Sequence, residues 1–228
     1  VVSGLSKRHK RFEDKREGNV IHATNLINFC PREYALCIKN GVFYNQPKPT
    51  AIGQKVTYEI GRRIEDMVRE ALWEEKVVLD HLKGVGIKKP YPVVGTPDIW
   101  VKLSARDRPY IVEVKSIKPD EFDTLIAPKM DHICQVSLYL WFAGLNDLPV
   151  HTDIGLIIYV VKLQKTIPIK VYPVHIATEF LKTVQKQLAE LKRFSKTKKL
   201  PVRTCNSPSA LMAKRPCKVL KECFDEEE

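Results

Sequence analysis

The sequence predicts an α/β fold in which a mixed central sheet is flanked by helices. Three observations carry that expectation. Helical and strand periodicities alternate along the chain, two short apolar strands approach each other within residues 94–115, and a second strand pair at 156–161 and 167–172 is followed by an amphipathic helix.

Residues 1–19 mix Lys7, Arg8, Lys10, Arg11, Lys15 and Arg16 with Glu13, Asp14 and Glu17 and hold few large apolar groups, which predicts a basic, flexible arm. A single domain is expected over 20–224, with a cysteine-rich tail at 200–224 and an acidic end at 225–228. Thr24 is a candidate N-cap for a helix carrying Leu26, Ile27 and Cys30, although Pro31 also fits the first position of a second short helix. Over 53–75, the spacing of Ile60, Ile64, Met67, Val68, Ala71 and Leu72 predicts a long amphipathic helix with Glu65 beside its apolar stripe.

Strands are expected at 77–79 and 85–87, followed by a break at Pro90-Tyr91-Pro92. Next come Val94-Gly95-Thr96-Pro97-Asp98-Ile99-Trp100 and Ile111-Val112-Glu113-Val114-Lys115, which read as two strands of a hairpin. Side chains alternate faces along a strand, so Glu113 and Lys115 project from one side and Val112 and Val114 from the other. Asp98, Glu113 and Lys115 therefore share a small volume near a core, and carboxylates so placed need partners; a divalent cation supplies one. Residues 119–129 hold two prolines and predict a loop. A helix over 132–142 follows, with Gln135 and Tyr139 one turn apart on its surface; His132 is near enough to Gln135 to touch a substrate, and a partly exposed polar histidine is its leading reading. Phe180, Val184, Leu188 and Leu191 mark a last amphipathic helix, which runs into the basic stretch 196–199.

The chain has 228 residues and a formal net charge of +11. That excess points to a polyanionic partner, with nucleic acid leading, because Lys and Arg gain affinity by releasing counterions from phosphates. It is concentrated late in the chain, where residues 181–224 hold 12 Lys and Arg against 2 acids. The longest apolar run, 155–161, is too short to span a bilayer, and no charged-then-apolar signal segment opens the sequence, so a soluble cytoplasmic protein without a membrane partner is expected. Six cysteines in such a chain favour metal binding or free thiols over disulfides.

Gly95-Thr96-Pro97-Asp98, then Glu113-Val114-Lys115, then Gln135 and Tyr139 together resemble the PD-(D/E)xK nuclease superfamily, in the branch of RecB-type exonuclease domains and the CRISPR-associated nuclease of spacer acquisition. Cys30-Pro31-Arg32 with three C-terminal cysteines resembles the iron–sulfur subset of that branch. The resemblance implies a restriction-endonuclease-like sheet with a cysteine-bound metal cluster joining the N- and C-terminal parts. It implies Mg²⁺ or Mn²⁺ held by Asp98, Glu113 and the Val114 carbonyl, a water-orienting or deprotonating Lys115, and Gln135 and Tyr139 as further catalytic-site residues that position the scissile strand. Where the family usually carries a histidine on the preceding helix, this chain has Glu65; other branches carry a helix glutamate, which makes Glu65 a candidate third side-chain ligand. An exposed Glu65 paired with Arg69 is the alternative.

For the cluster, the resemblance implies Cys30, Cys205, Cys217 and Cys223, with [4Fe–4S] ahead of Zn²⁺. The eleven-residue gap between Cys205 and Cys217 is longer than such tails usually have, Cys37 is a possible substitute ligand, and Cys134 reads as core packing. The implied activity is hydrolysis of phosphodiester bonds at DNA ends or in single strands, during replication, recombination or repair. A free-standing exonuclease fits the chain length, of the kind a phage encodes for use in the host cytoplasm or one that works with a helicase or recombination partner. An overhang-trimming endonuclease of CRISPR adaptation and a non-catalytic DNA-binding subunit are the other readings.

Overall fold

The computed structural model describes residues 20–42, 44, 52–75, 78, 84–88, 91–161, 168–203, 205 and 217–225. The basic arm expected at 1–19 and the acidic residues 226–228 lie outside them.

Strand β1 (Ile21–His22) enters a 3-10 turn (Ala23–Asn28), and α1 (Pro31–Lys39) follows. Thr24 therefore caps nothing; Cys30 is the N-cap of α1, with its Sγ accepting the Glu33 amide at 3.4 Å. Pro31 explains the division, since it has no N–H to continue a preceding helix but suits the first position of a new one. Helix α2 (Ile52–Glu74) matches the expected span. Ile60, Ile64, Val68 and Leu72, each four residues apart, face the core, whereas Met67 and Ala71 are exposed.

Strands β2 (Val85–Ile87) and β3 (Val93–Gly95) join β1 in a three-stranded sheet of order β1-β3-β2. Strands β4 (Ile99–Val101), β5 (Tyr110–Ile117), β6 (Ile154–Val161) and β7 (Ile169–His175) form a second sheet in that order, with β5 and β6 parallel and the outer pairs antiparallel. The strand expected across 94–100 is thus two strands in two sheets. Pro97 cannot donate to a ladder, and the chain crosses between the sheets at Thr96-Pro97-Asp98. Of the strand expected at 77–79, Val78 makes an isolated bridge to Val101 and its neighbours lie outside the described residues. Pro173 is tolerated because β7 is the sheet's edge.

Side chains of the larger sheet alternate between two cores. Ile99, Val101, Val112, Val114, Ile158 and Val160 pack under α2, while Ile111, Ile117, Ile157, Tyr159 and Val161 face the other way. That second face is covered by α4 (Met130–Leu145), which is apolar on nearly every side because the three-stranded sheet and the 3-10 turn pack against its far side. Close approach is possible because position 155 is glycine; a Cβ there would lie 2.6 Å from Val136 Cγ1.

The loop expected at 119–129 contains a short helix, α3 (Pro119–Thr124), with Pro119 in its first turn and Asp120 and Glu121 suited to the positive end of its dipole. Helix α5 (Thr178–Thr197) buries Leu181, Val184, Leu191 and Phe194 and exposes Lys182, Lys186, Lys192, Arg193 and Lys196. The chain's end returns to α1: Arg32 Nη1 donates to the Pro201 carbonyl at 3.1 Å, the Lys218 amide donates to Glu33 Oε1 at 3.3 Å, and α6 (Leu220–Asp225) packs on α1. No helix among the described residues is long and apolar enough to cross a membrane.

Candidate active site

The site forms where β4 begins beside β5. In this register Ile99 is opposite Val112, so Asp98 sits just before β4, where the ladder no longer covers the edge of β5. Its Oδ2 accepts the Val114 amide at 2.8 Å. A strand residue turns its N–H and C=O to the same edge, so the Val114 carbonyl shares that edge with Asp98. On the opposite side chain face, Lys115 Nζ donates to Glu113 Oε1 at 2.5 Å; the Glu113 side chain is 3% exposed and that of Lys115 24%.

Helix α4 supplies the next layer. Gln135 Nε2 donates to Glu113 Oε1 at 2.7 Å and to the Tyr139 hydroxyl at 2.9 Å, while Gln135 Oε1 accepts Lys115 Nζ at 3.0 Å. Gln135 and Tyr139 are both buried. They hold Glu113 and Lys115 in place from behind. Gly95 makes room for this arrangement, since a Cβ there would lie 2.6 Å from Tyr139 Cε1.

Glu65 approaches from α2. Gly61, Glu65 and Arg69 share one helical stripe at four-residue steps. Gly61 sits against Ser116, with Oγ 3.8 Å from where its Cβ would be, and the Arg69 guanidinium donates to the Asp98 carbonyl. Glu65 lies on α2 between those two anchors, close enough to influence the charges on Glu113 and Lys115. Arg69 also reaches Asp66 at 4.0 Å.

The electrostatics confirm the convergence. Burial, then the Asp98 carboxylate, raise the Glu113 pKa well above the usual carboxylate range, with Glu65 adding to the effect and Lys115 opposing it. Burial opposes charge on Lys115, but Glu113, Asp98 and Glu65 outweigh it and raise its pKa, so the ammonium stays charged. Burial, then Glu113, keep the Tyr139 phenol protonated. One oxygen, Glu113 Oε2, is buried without a hydrogen-bond partner among the described residues. A carboxylate oxygen in that state, among three carboxylates, fits a divalent cation. As the side chains stand, no three His, Cys, Asp or Glu among the described residues are grouped tightly enough to hold a metal ion.

Two further residues border the site, and the sequence showed their positions but not their hydrogen-bond partners. Arg69, the alternative partner expected for Glu65, also donates to the Asp98 carbonyl and reaches Asp66. His132 is half-buried, with Nδ1 2.7 Å from the Tyr159 hydroxyl, and Tyr159 is the register partner of Lys115 on β6. Its signal was its place one turn before Gln135; Tyr159 could not be paired with it from spacing.

Where the C-terminal tail meets α1, the four candidate cluster cysteines are electrostatic neighbours: Cys30 feels Cys205, Cys217 feels Cys30 and Cys223, and Cys223 feels Cys205. Burial raises all three of those thiols, Cys217 to about 11. All six cysteines are free thiols; Cys37 and Cys134 are buried, Cys37 in the main core and Cys134 on α4. As they stand, these four thiols are not grouped closely enough to hold a metal ion, and the cysteine-bound cluster that the sequence leads one to expect is not formed among the described residues.

The fold resembles that of an alkaline exonuclease. The protein compared, LHK-Exo from Laribacter hongkongensis, superposes with a TM-score of 0.52 at 14% identity over 77% of this chain and 89% of its own. The same exonuclease in complex with dAMP gives 0.50 at 14% identity, over 78% and 90%. SSO0001 gives 0.48 at 16% identity, over 78% of each chain. At these identities the likeness is one of fold. No family model matches the sequence, and no curated protein matches it.

Proposed function

We propose that this protein is a Mg²⁺- or Mn²⁺-dependent deoxyribonuclease that hydrolyses phosphodiester bonds at DNA ends or in single strands. The observation that carries the reading is the half-satisfied Glu113: Lys115 and Gln135 converge on Oε1, while Oε2 stays buried with no hydrogen-bond partner among the described residues, and the Asp98 carboxylate lies near enough to raise the Glu113 pKa. Support comes from the fold shared with an exonuclease that has been seen with dAMP, and from the net charge of +11.

Asp98, Glu113, Glu65 and the Val114 carbonyl are the groups that would hold the cation. When bound, it supplies Lewis-acid charge for the phosphate and a more acidic water. The protein's own contribution is positional. Lys115, bonded to Glu113 and Gln135, would orient or deprotonate the water and stabilise charge on the phosphate. Gln135 fixes the Lys115 ammonium, and Tyr139 fixes Gln135. The exposed lysines of α5 give the DNA backbone a place to dock.

Cys30, Cys205, Cys217 and Cys223 would hold a [4Fe–4S] cluster that staples α1 to the C-terminal tail. Anaerobically purified protein should be brown with visible absorbance; colourless protein with stoichiometric zinc would replace iron–sulfur by Zn²⁺. The nuclease reading is tested with single- and double-stranded DNA labelled or blocked at either end. Digestion should require Mg²⁺ or Mn²⁺, begin at free ends, and vanish in Asp98→Ala. Digestion that survives this substitution, or that proceeds without a divalent cation, rejects the reading.

A further inference from the structure

We propose that His132 is an additional substrate-binding residue of this site, its Nε2–H serving as a fixed, neutral donor to a DNA backbone phosphate; this rests on the nuclease reading above.

Two hydrogen bonds set the tautomer of the His132 ring. The Lys129 amide donates to the Tyr159 hydroxyl at 3.0 Å. Burial raises the Tyr159 pKa, so the phenol keeps its proton, and the nearby acceptor for that proton is His132 Nδ1 at 2.7 Å. Nδ1 therefore accepts, which leaves the ring's proton on Nε2. Burial, then the Lys115 and Lys129 ammoniums, bring the His132 pKa down to about 4, so the ring is neutral at physiological pH. Nε2 is not among the buried unpartnered atoms and makes no hydrogen bond among the described residues, so its N–H is open to solvent.

Placement gives that donor its ligand. His132, Gln135 and Tyr139 occupy one face of α4 at steps of three and four residues, and Gln135 already bonds to Lys115. The ring also sits within the field of Lys115 and Lys129. Asp131 and Glu121 act in the opposite sense; Glu121 and Lys129 Nζ are paired at 3.0 Å and offset each other, which leaves Lys115 as the main positive charge beside the ring. A neutral N–H beside the Lys115 ammonium suits a phosphate oxygen, and it adds a contact without placing another positive charge against Lys115.

The test compares wild type, His132→Ala and His132→Gln on end-labelled single-stranded DNA with Mg²⁺ at several salt concentrations. The glutamine amide can place a neutral N–H where Nε2 stood. We expect His132→Ala to raise KM about tenfold with kcat nearly unchanged, the loss of one ground-state hydrogen bond. His132→Gln should restore KM to near the wild-type value. The slope of log KM against log salt should be the same in all three, because a neutral donor releases no counterion. An unchanged KM in His132→Ala, a His132→Gln variant as poor as His132→Ala, or a slope reduced by about one in His132→Ala overturns the inference. Wild type that does not digest DNA removes the nuclease reading and this inference with it, whereas active wild type with any of those three results removes this inference alone.

Discussion

Gln135 holds Glu113 and Lys115 together, donating to Glu113 Oε1 at 2.7 Å while accepting Lys115 Nζ at 3.0 Å. Both partners depend on it, because Glu113 is buried and Lys115 has few other ways to be fixed. Gln135→Ala should leave the fold in place but let the ammonium wander. A misplacement of about 1 Å can cost on the order of 100-fold in rate. Single-turnover hydrolysis should fall by about that factor with little change in DNA affinity, and a rate within a few-fold of wild type would remove Gln135 from the site.

Gly95 admits the Tyr139 ring, since a Cβ would approach Tyr139 Cε1 to 2.6 Å and Ala23 Cβ to 3.0 Å. Neither neighbour is a flexible side chain end, as Tyr139 is buried in α4 and Ala23 belongs to the 3-10 turn. Gly95→Ala should cost about 1–3 kcal/mol of stability by overpacking. Urea unfolding measures it. Loss of activity larger than the stability change explains would show that displaced Tyr139 carries Gln135 with it.

That Asp98, Glu113 and Lys115 come together was legible because strand alternation puts Glu113 and Lys115 on one face and Asp98 stands at the mouth of the same hairpin. Gln135 and Tyr139 were legible as a one-turn pair, but their burial was not: α4 is covered on both sides only because a second, smaller sheet lies behind it. That sheet was hidden by Pro97, which splits an apparently continuous strand, and no local pattern says which partner each half will choose. Helix α3 is too short to show a period, although Pro119, Asp120 and Glu121 spelled its first turn. The closure of the tail on α1 rests on contacts such as Arg32 to Pro201, 169 residues apart. Only the resemblance of the cysteines foreshadowed it.

Glu65 tests how far α2 contributes to the cation site. It stands between Gly61, which touches Ser116, and Arg69, which holds the Asp98 carbonyl, and it raises the pKa of Glu113 and Lys115. Glu65→Ala should raise the Mg²⁺ and Mn²⁺ concentrations needed for half-maximal digestion by about tenfold or more, as loss of a charged ligand would. Glu65→Gln should recover part of this through its carbonyl oxygen. Near-normal metal dependence of Glu65→Ala would sink the ligand assignment and leave Glu65 as a surface carboxylate.

His132 gives the folded protein a pH dependence with a definite sign. Its pKa is about 4 in the folded protein against 6.5 for an unperturbed imidazole, the cause being burial first and the Lys115 and Lys129 charges second. Above pH 6.5 the ring is neutral in both states and contributes nothing that varies. Between 6.5 and about 4 the unfolded chain takes up a proton that the folded protein refuses, so stability falls as the pH is lowered through that window. The ring is only part-buried, so solvent screening reduces the size of the effect but not its direction. His132→Gln cannot titrate and should flatten this limb relative to wild type in chemical unfolding measured from pH 7 to 4. In wild type the imidazole proton resonances should titrate with a midpoint near 4; a midpoint near 6.5, or identical pH limbs in the two proteins, would show that His132 is solvated and not packed against Tyr159.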